Sequence, residues 1–97
     1  MPESEKRTER NYLRDAVKRL GGISVKGNAY NNKGFPDRII LLPGAKAAFL
    51  ELKSEGKKPT KIQAHWIKKL QGLGFHAGYA DSKKMVDEFL KELQNKK

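Results

Sequence analysis

Apolar residues recur along the chain in seven short segments whose spacing switches between helical and extended. Tyr12, Leu13, Ala16, Val17 and Leu20 lie three and four residues apart. They predict a first helix, running from a cap at Ser4 to the Gly21-Gly22 pair. Ile23 to Val25 alternates as a strand does, and the polar stretch 26–33, with Gly27 and three asparagines, reads as a loop. Two more strand candidates, Asp37–Leu42 and Ala47–Lys53, flank Pro43-Gly44 and form a hairpin. After the basic loop Ser54–Pro59, Thr60 caps a second helix reaching about Leu73. Ile62, Trp66, Ile67, Leu70 and Leu73 form its buried side. Phe75–Ala80 is a fourth strand. Asp81 or Ser82 opens a last helix that turns Met85, Val86, Phe89, Leu90 and Leu93 inward.

The order is therefore α-β-β-β-α-β-α. A strand–helix–strand unit from Ala47 to Ala80 is a crossover, which demands parallel pairing, whereas the hairpin is antiparallel. The expectation is an α/β fold, a small mixed sheet flanked by helices, within one domain spanning 1–97.

Two charges break the apolar run Ala47-Ala48-Phe49-Leu50-Glu51-Leu52-Lys53. Strand alternation sends Glu51 and Lys53 to one face and Leu50 and Leu52 to the other. A charge in an apolar strand is costly unless it is paired or holds a metal. The hairpin brings Asp37 close to both. If Leu42 pairs with Ala47, Asp37 falls level with Leu52, and a one-residue change of register decides whether it faces Glu51. Two carboxylates with a strand carbonyl make an all-oxygen site for Mg²⁺ or Mn²⁺. A lysine beside them can orient water or neutralise charge on a phosphate.

Charge then points to the partner. Lys and Arg number 21 against 11 Asp and Glu, a net charge of +10. Such an excess attracts polyanions, nucleic acid above all. An anionic membrane would need a basic helix with a spare apolar face, and each apolar face here is needed for a core. No cysteine is present, so disulfides and thiolate metal sites are excluded. Nothing resembles a signal peptide or a spanning segment, and an intracellular protein is expected.

The residues Gly34-Phe35-Pro36-Asp37, then Glu51-Leu52-Lys53 after thirteen intervening residues, spell the PD-(D/E)xK pattern. With Glu9 in the first helix and Gln63 in the second, the order from Glu9 to about Ala80 resembles the VRR-NUC (virus-type replication-repair nuclease) family. That resemblance implies a restriction-endonuclease-like core and a metal-dependent DNA endonuclease. Asp37, Glu51 and the Leu52 backbone carbonyl are its implied metal ligands, with Glu9 as a further candidate. Lys53 is the implied catalytic lysine, and Gln63 the helical glutamine near the site. It also implies a homodimer, a substrate such as a four-way junction, a link to DNA repair, and no organic cofactor. If the chain is phage-encoded, it would act in the cytoplasm of a bacterial host. Ser54 stands where a glycine commonly follows the catalytic lysine.

Each residue also has a plainer reading. Glu9 suits the first turn of a helix through the helix dipole. Thr60 and Gln63 spell a capping box. Glu51 with Lys53 would serve as an ion pair at a sheet edge, and Asp37 as a turn cap. Lys57, Lys58 and Lys61 follow Lys53 closely, and Tyr30 and Lys33 lie in the polar loop. These five are candidates for contact with nucleic acid, though charge runs usually mark solvated faces. His65 and His76 are assigned surface or supporting places. The rival function is a non-catalytic basic nucleic-acid-binding module, which has no use for two acids in a basic cleft.

Overall fold

A computed structural model describes residues 2–27 and 32–96, with side chains from Glu9 onward. Helix α1 (Pro2–Arg19) is followed by strands β1 (Ile23–Lys26), β2 (Arg38–Leu42) and β3 (Lys46–Leu52). Helix α2 (Lys61–Gly72), strand β4 (His76–Ala80) and helix α3 (Lys83–Asn95) complete the order. The expected α-β-β-β-α-β-α succession is the observed one. Helix α1 begins at Pro2, a residue suited to a first helical position, so Ser4 lies inside the helix and does not cap it. Its far end closes with Gly21 at φ 84° and the Gly22 amide bonded back to the Val17 carbonyl at 3.0 Å. Thr60 and Ser82 cap α2 and α3 through their hydroxyls.

The four strands form one mixed sheet in the order β1-β2-β3-β4, antiparallel except for the parallel β3–β4 pair. Leu42 pairs with Lys46, not Ala47, because the hairpin loop is the three residues Pro43, Gly44 and Ala45. Gly44 (φ 86°) and Ala45 (φ 61°) both take left-handed backbone, and the alanine does so without glycine's freedom.

Alternation sorts the sheet into two faces. Ile40, Leu42, Ala48, Leu50 and Leu52 point to one, beneath Leu13 and Val17 of α1 and Val86, Phe89, Leu90 and Leu93 of α3. The Tyr12 hydroxyl donates to Asp87 Oδ1 at 2.7 Å and ties the two helices together. On the other face, Ile67 and Leu70 of α2 pack on Ala77, with Phe35, Phe49 and Tyr79 around them. The buried side of α2 is narrower than its spacing predicts: Ile62 is 44% exposed and Leu73 68%. Helix α2 covers β3 and β4, and Leu73 lies beyond its last turn. The same face over β1 and β2 stays open, leaving Ile23, Val25 and Leu41 exposed. No described helix is long and apolar enough to cross a membrane.

Candidate active site

The hairpin register settles the geometry at the end of the sheet. Continuing the ladder one step beyond the Arg38–Leu50 pair sets Asp37 level with Glu51 and on the same face. Leu50 and Leu52, both fully buried, anchor β3 on either side of Glu51, which is itself only 4% exposed. Asp37 is held from two directions. Its backbone carbonyl accepts from the Gly27 amide at 2.8 Å, and its Oδ1 accepts from the Leu52 amide at 3.2 Å. Gly27 permits this approach, because a Cβ there would lie 2.4 Å from the Pro36 carbonyl oxygen.

A strand residue directs its N–H and C=O toward the same neighbour. The Leu52 amide meets Asp37, so the Leu52 carbonyl also opens toward Asp37. The Lys53 amide turns the opposite way, to the Ala80 carbonyl at 2.9 Å. The Lys53 side chain returns to the carboxylates, its Nζ 3.9 Å from Glu51 Oε2.

Gln63 makes contacts in both directions that its position suggests. Its Oε1 accepts from the Thr60 amide at 2.9 Å, and its Nε2 donates to Glu51 Oε2 at 3.4 Å. This is the amide orientation that satisfies both neighbours, since an N–H needs an acceptor and a carboxylate a donor. One side chain therefore starts α2 and steadies Glu51. Gln63→Glu keeps the acceptor for the cap but sets a carboxylate against Glu51. We expect a rate loss of about 10- to 100-fold with little change in melting temperature, the usual scale when a residue orienting a ligand is altered. Unchanged turnover would mean that Gln63 serves the cap alone.

Asp37, Glu51, Leu52, Lys53 and Gln63 thus converge. Glu9 is buried on α1, 7% exposed. Yet no three Asp, Glu, His or Cys side chains gather into a metal-holding group among the described residues. Lys57, Lys58 and Lys61 are exposed, on the loop leaving Lys53 and at the start of α2. This loop is pinned where the Gly56 amide donates to Asp81 Oδ2 at 3.0 Å. Lys33 is exposed and its carbonyl accepts from Trp66 Nε1 at 3.0 Å, while Tyr30 lies outside the described residues. His76 is level with Ala48, four residues and about 13 Å down the sheet from the Leu52 end. Its Nε2–H donates to the Phe89 carbonyl at 3.0 Å, and burial pushes its pKa below the usual histidine value. His65 is exposed beside Trp66.

Sequence reasoning missed Arg38. It follows Asp37 directly, and strand alternation turns it onto the α1 face of the sheet. In Asp37-Arg38-Ile39-Ile40 the charge stands at the start of the apolar run and not inside it, so the signal that exposed Glu51 is weaker there. Burial above all, then the positive charges of Arg10 and Arg14, lowers the Arg38 pKa, with Asp37 opposing them.

No family model matches this chain. A curated phage protein named "Putative nuclease p44", from Acyrthosiphon pisum secondary endosymbiont phage 1, is 37% identical over 71 residues. That match covers 73% of this chain and 76% of the relative. A solved VRR-NUC domain superposes with a TM-score of 0.83 at 25% identity, over 90% of this chain and 95% of the other. The hairpin that sets Asp37 beside Glu51-Leu52-Lys53, and the crossover helix that adds Gln63, therefore lie within a shared fold. The chain belongs to the VRR-NUC family of PD-(D/E)xK nucleases.

Proposed function

We propose that the protein is a metal-dependent endonuclease that hydrolyses DNA phosphodiester bonds. The observation that carries this reading is the pair of carboxylates, Asp37 and Glu51, with Lys53 at one strand end of a chain of net charge +10. A protein that only bound nucleic acid would gain nothing from acids that repel phosphate.

Asp37, Glu51 and the Leu52 carbonyl form a set of hard oxygen donors, which suits Mg²⁺ or Mn²⁺. Glu9, buried on α1, is a further candidate ligand. The bound ion would polarise the phosphoryl oxygen and offset the charge that develops on it. Gln63 holds the Glu51 carboxylate in orientation. Lys53 orients the attacking water and counters negative charge on the pentavalent phosphorus. Water forms the new P–O bond in line with the one that breaks and gives up a proton as it does so, and the departing oxygen takes up a proton in exchange. The exposed Lys33, Lys57, Lys58 and Lys61 would touch the sugar–phosphate backbone, and Tyr30, outside the described residues, is proposed for the same role.

A homodimer acting on branched DNA such as a four-way junction extends this reading. The apolar sheet face of Ile23, Val25 and Leu41 supports it, since a second copy would cover that face. A role in DNA repair extends the reading further, and the phage origin of the relative suits action inside a bacterial host cell. Labelled duplex, flap and four-way-junction DNA should be cut with Mg²⁺ or Mn²⁺ and left intact in EDTA. Cutting in EDTA would overturn the metal, and no cutting of any substrate would leave the binding module. A monomer at all concentrations in sedimentation would remove the dimer.

A further inference from the structure

Helix α2 reaches both carboxylates of the proposed metal site, one directly and the other through a turn. Gln63 donates to Glu51 Oε2 at 3.4 Å. Ile62 and Trp66 lie four residues apart on the flank beside Gln63. They meet residues 33–35, which lead through Pro36 into Asp37. The Phe35 amide donates to the Asn32 carbonyl at 3.1 Å and closes the turn. Within it, Gly34 takes φ 89° and lies hard against α2. A Cβ there would come within 2.8 Å of Ile62 Cγ2 and 3.1 Å of the Ile62 carbonyl carbon. The Trp66 indole Nε1–H donates to the Lys33 carbonyl at 3.0 Å. Its ring meets the Phe35 ring edge-on at 5.4 Å, and Phe35 meets Phe49 of β3 in the same way at 5.6 Å. Pro36, the last residue before Asp37, is fully buried.

These contacts fix a piece of backbone that a metal site needs fixed. Two carboxylates side by side repel each other whenever no cation lies between them. Glu51 belongs to β3, which is paired on both sides, so the sheet itself holds it. Asp37 stands one residue outside β2, where the ladder ends and the turn begins. The Leu52 and Gly27 amides hold Asp37 from the sheet side, and the turn holds it from the other. A half-buried indole N–H needs an acceptor, and any oxygen in reach would satisfy it. Here the acceptor is a backbone carbonyl of this turn, and the indole ring packs on the same turn two residues later. Ring and N–H therefore act together on the segment that delivers Asp37.

We propose that Trp66 is a positioning residue of the metal site: by binding the Lys33 carbonyl and packing on Phe35, it holds the turn that keeps Asp37 level with Glu51. The inference rests on the nuclease reading for the ion that the two carboxylates take. Without the indole N–H the Lys33 carbonyl is released, the turn can leave α2, and Asp37 visits a wider range of positions. A binding constellation works only within about 0.5 Å of its proper geometry. The first consequence is therefore weaker cation binding, and slower cutting follows from it. Affinity for DNA in the absence of metal is not part of this role.

The test measures metal binding apart from cutting. Trp66→Phe keeps a ring against Phe35 and removes the N–H, while Gly34→Ala forces a methyl group against Ile62. Mn²⁺ binding is followed by the electron paramagnetic resonance signal of the free ion, and binding of a labelled duplex by anisotropy in EDTA. Single-turnover cutting is measured across a Mn²⁺ series. Both variants are expected to bind Mn²⁺ about tenfold more weakly and to need correspondingly more of it for half-maximal cutting. Both should bind the duplex in EDTA as wild type does. Leu70→Ala, at a buried position further along α2, should lower the melting temperature and leave the Mn²⁺ affinity of the folded protein unchanged. If folded Trp66→Phe binds Mn²⁺ as tightly as wild type, the positioning role is wrong even though cutting persists. It is equally wrong if Leu70→Ala weakens Mn²⁺ binding as much, since any loosening of α2 would then suffice. A loss of duplex affinity in EDTA with Mn²⁺ affinity intact would make Trp66 a DNA contact instead. If wild type binds Mn²⁺ with this Trp66 dependence but cuts nothing, the positioning role stands and the nuclease reading falls.

Discussion

Glu51→Gln is expected to lower the rate of DNA cutting by about 10²- to 10⁴-fold while the fold holds, and Lys53→Ala to do the same. The two changes remove opposite charges from one site, so they part company in binding. Glutamine matches the volume of Glu51 and still offers an oxygen to Gln63 Nε2, so the packing between Leu50 and Leu52 is undisturbed. It also removes a negative charge from a surface that must approach phosphate. In EDTA, Glu51→Gln should therefore hold DNA more tightly than wild type, and Lys53→Ala more weakly. Single-turnover cleavage, fluorescence anisotropy and thermal melting on the same three proteins separate these effects. Cutting at the wild-type rate by either variant would remove that residue from the chemistry. Tighter binding without cutting by Glu51→Gln is an outcome that a plain strand-face ion pair does not predict.

Most of the architecture was legible because local periodicity and tertiary packing agree. The stripes of α1 and α3 that looked apolar are the stripes that lie on the sheet, and Thr60 and Gln63 make the capping box that they spell. The facing of Asp37 was not legible, and one residue explains why. Ala45 adopts φ 61°, a conformation that alanine seldom takes, so nothing in its identity marks it as closing a three-residue loop that frees Lys46 for β3. Moving Lys46 out of the expected four-residue loop shifts the ladder and turns Asp37 onto the face of Glu51. The span of the apolar face of α2 was hidden for a different reason. Helical spacing shows which residues share a side, but the width of the sheet beneath decides how many are covered, and β4 is an edge strand. Arg38 escaped notice because a charged residue at the start of a strand reads as a solvated end. Only the register shows it half-buried on the α1 face, where the charges of Arg10 and Arg14 act on it.

Leu50→Ala should cost about 2–5 kcal/mol of folding stability, the range for emptying a leucine's place in a packed core. Leu50 is fully buried, with Leu13 and Val17 of α1 and Val86 and Leu90 of α3 in the same cluster. No nearby element is free to settle into the space, since two helices and three strands meet there. A domain of this size has about 5–15 kcal/mol in all, so the variant sits near its limit and its urea midpoint falls well below that of wild type. Leu41→Ala is the counterpart. Leu41 is 39% exposed on the open face of the sheet, and its loss should cost less than about 1 kcal/mol in the monomer. The contrast also bears on the active site, because Leu50 pairs with Arg38 and precedes Glu51. If Leu50 acts only through the core, the variant should cut DNA normally at temperatures where it is folded and fail in step with unfolding. A variant that melts like wild type would show that the core is not packed around Leu50 as the structure describes.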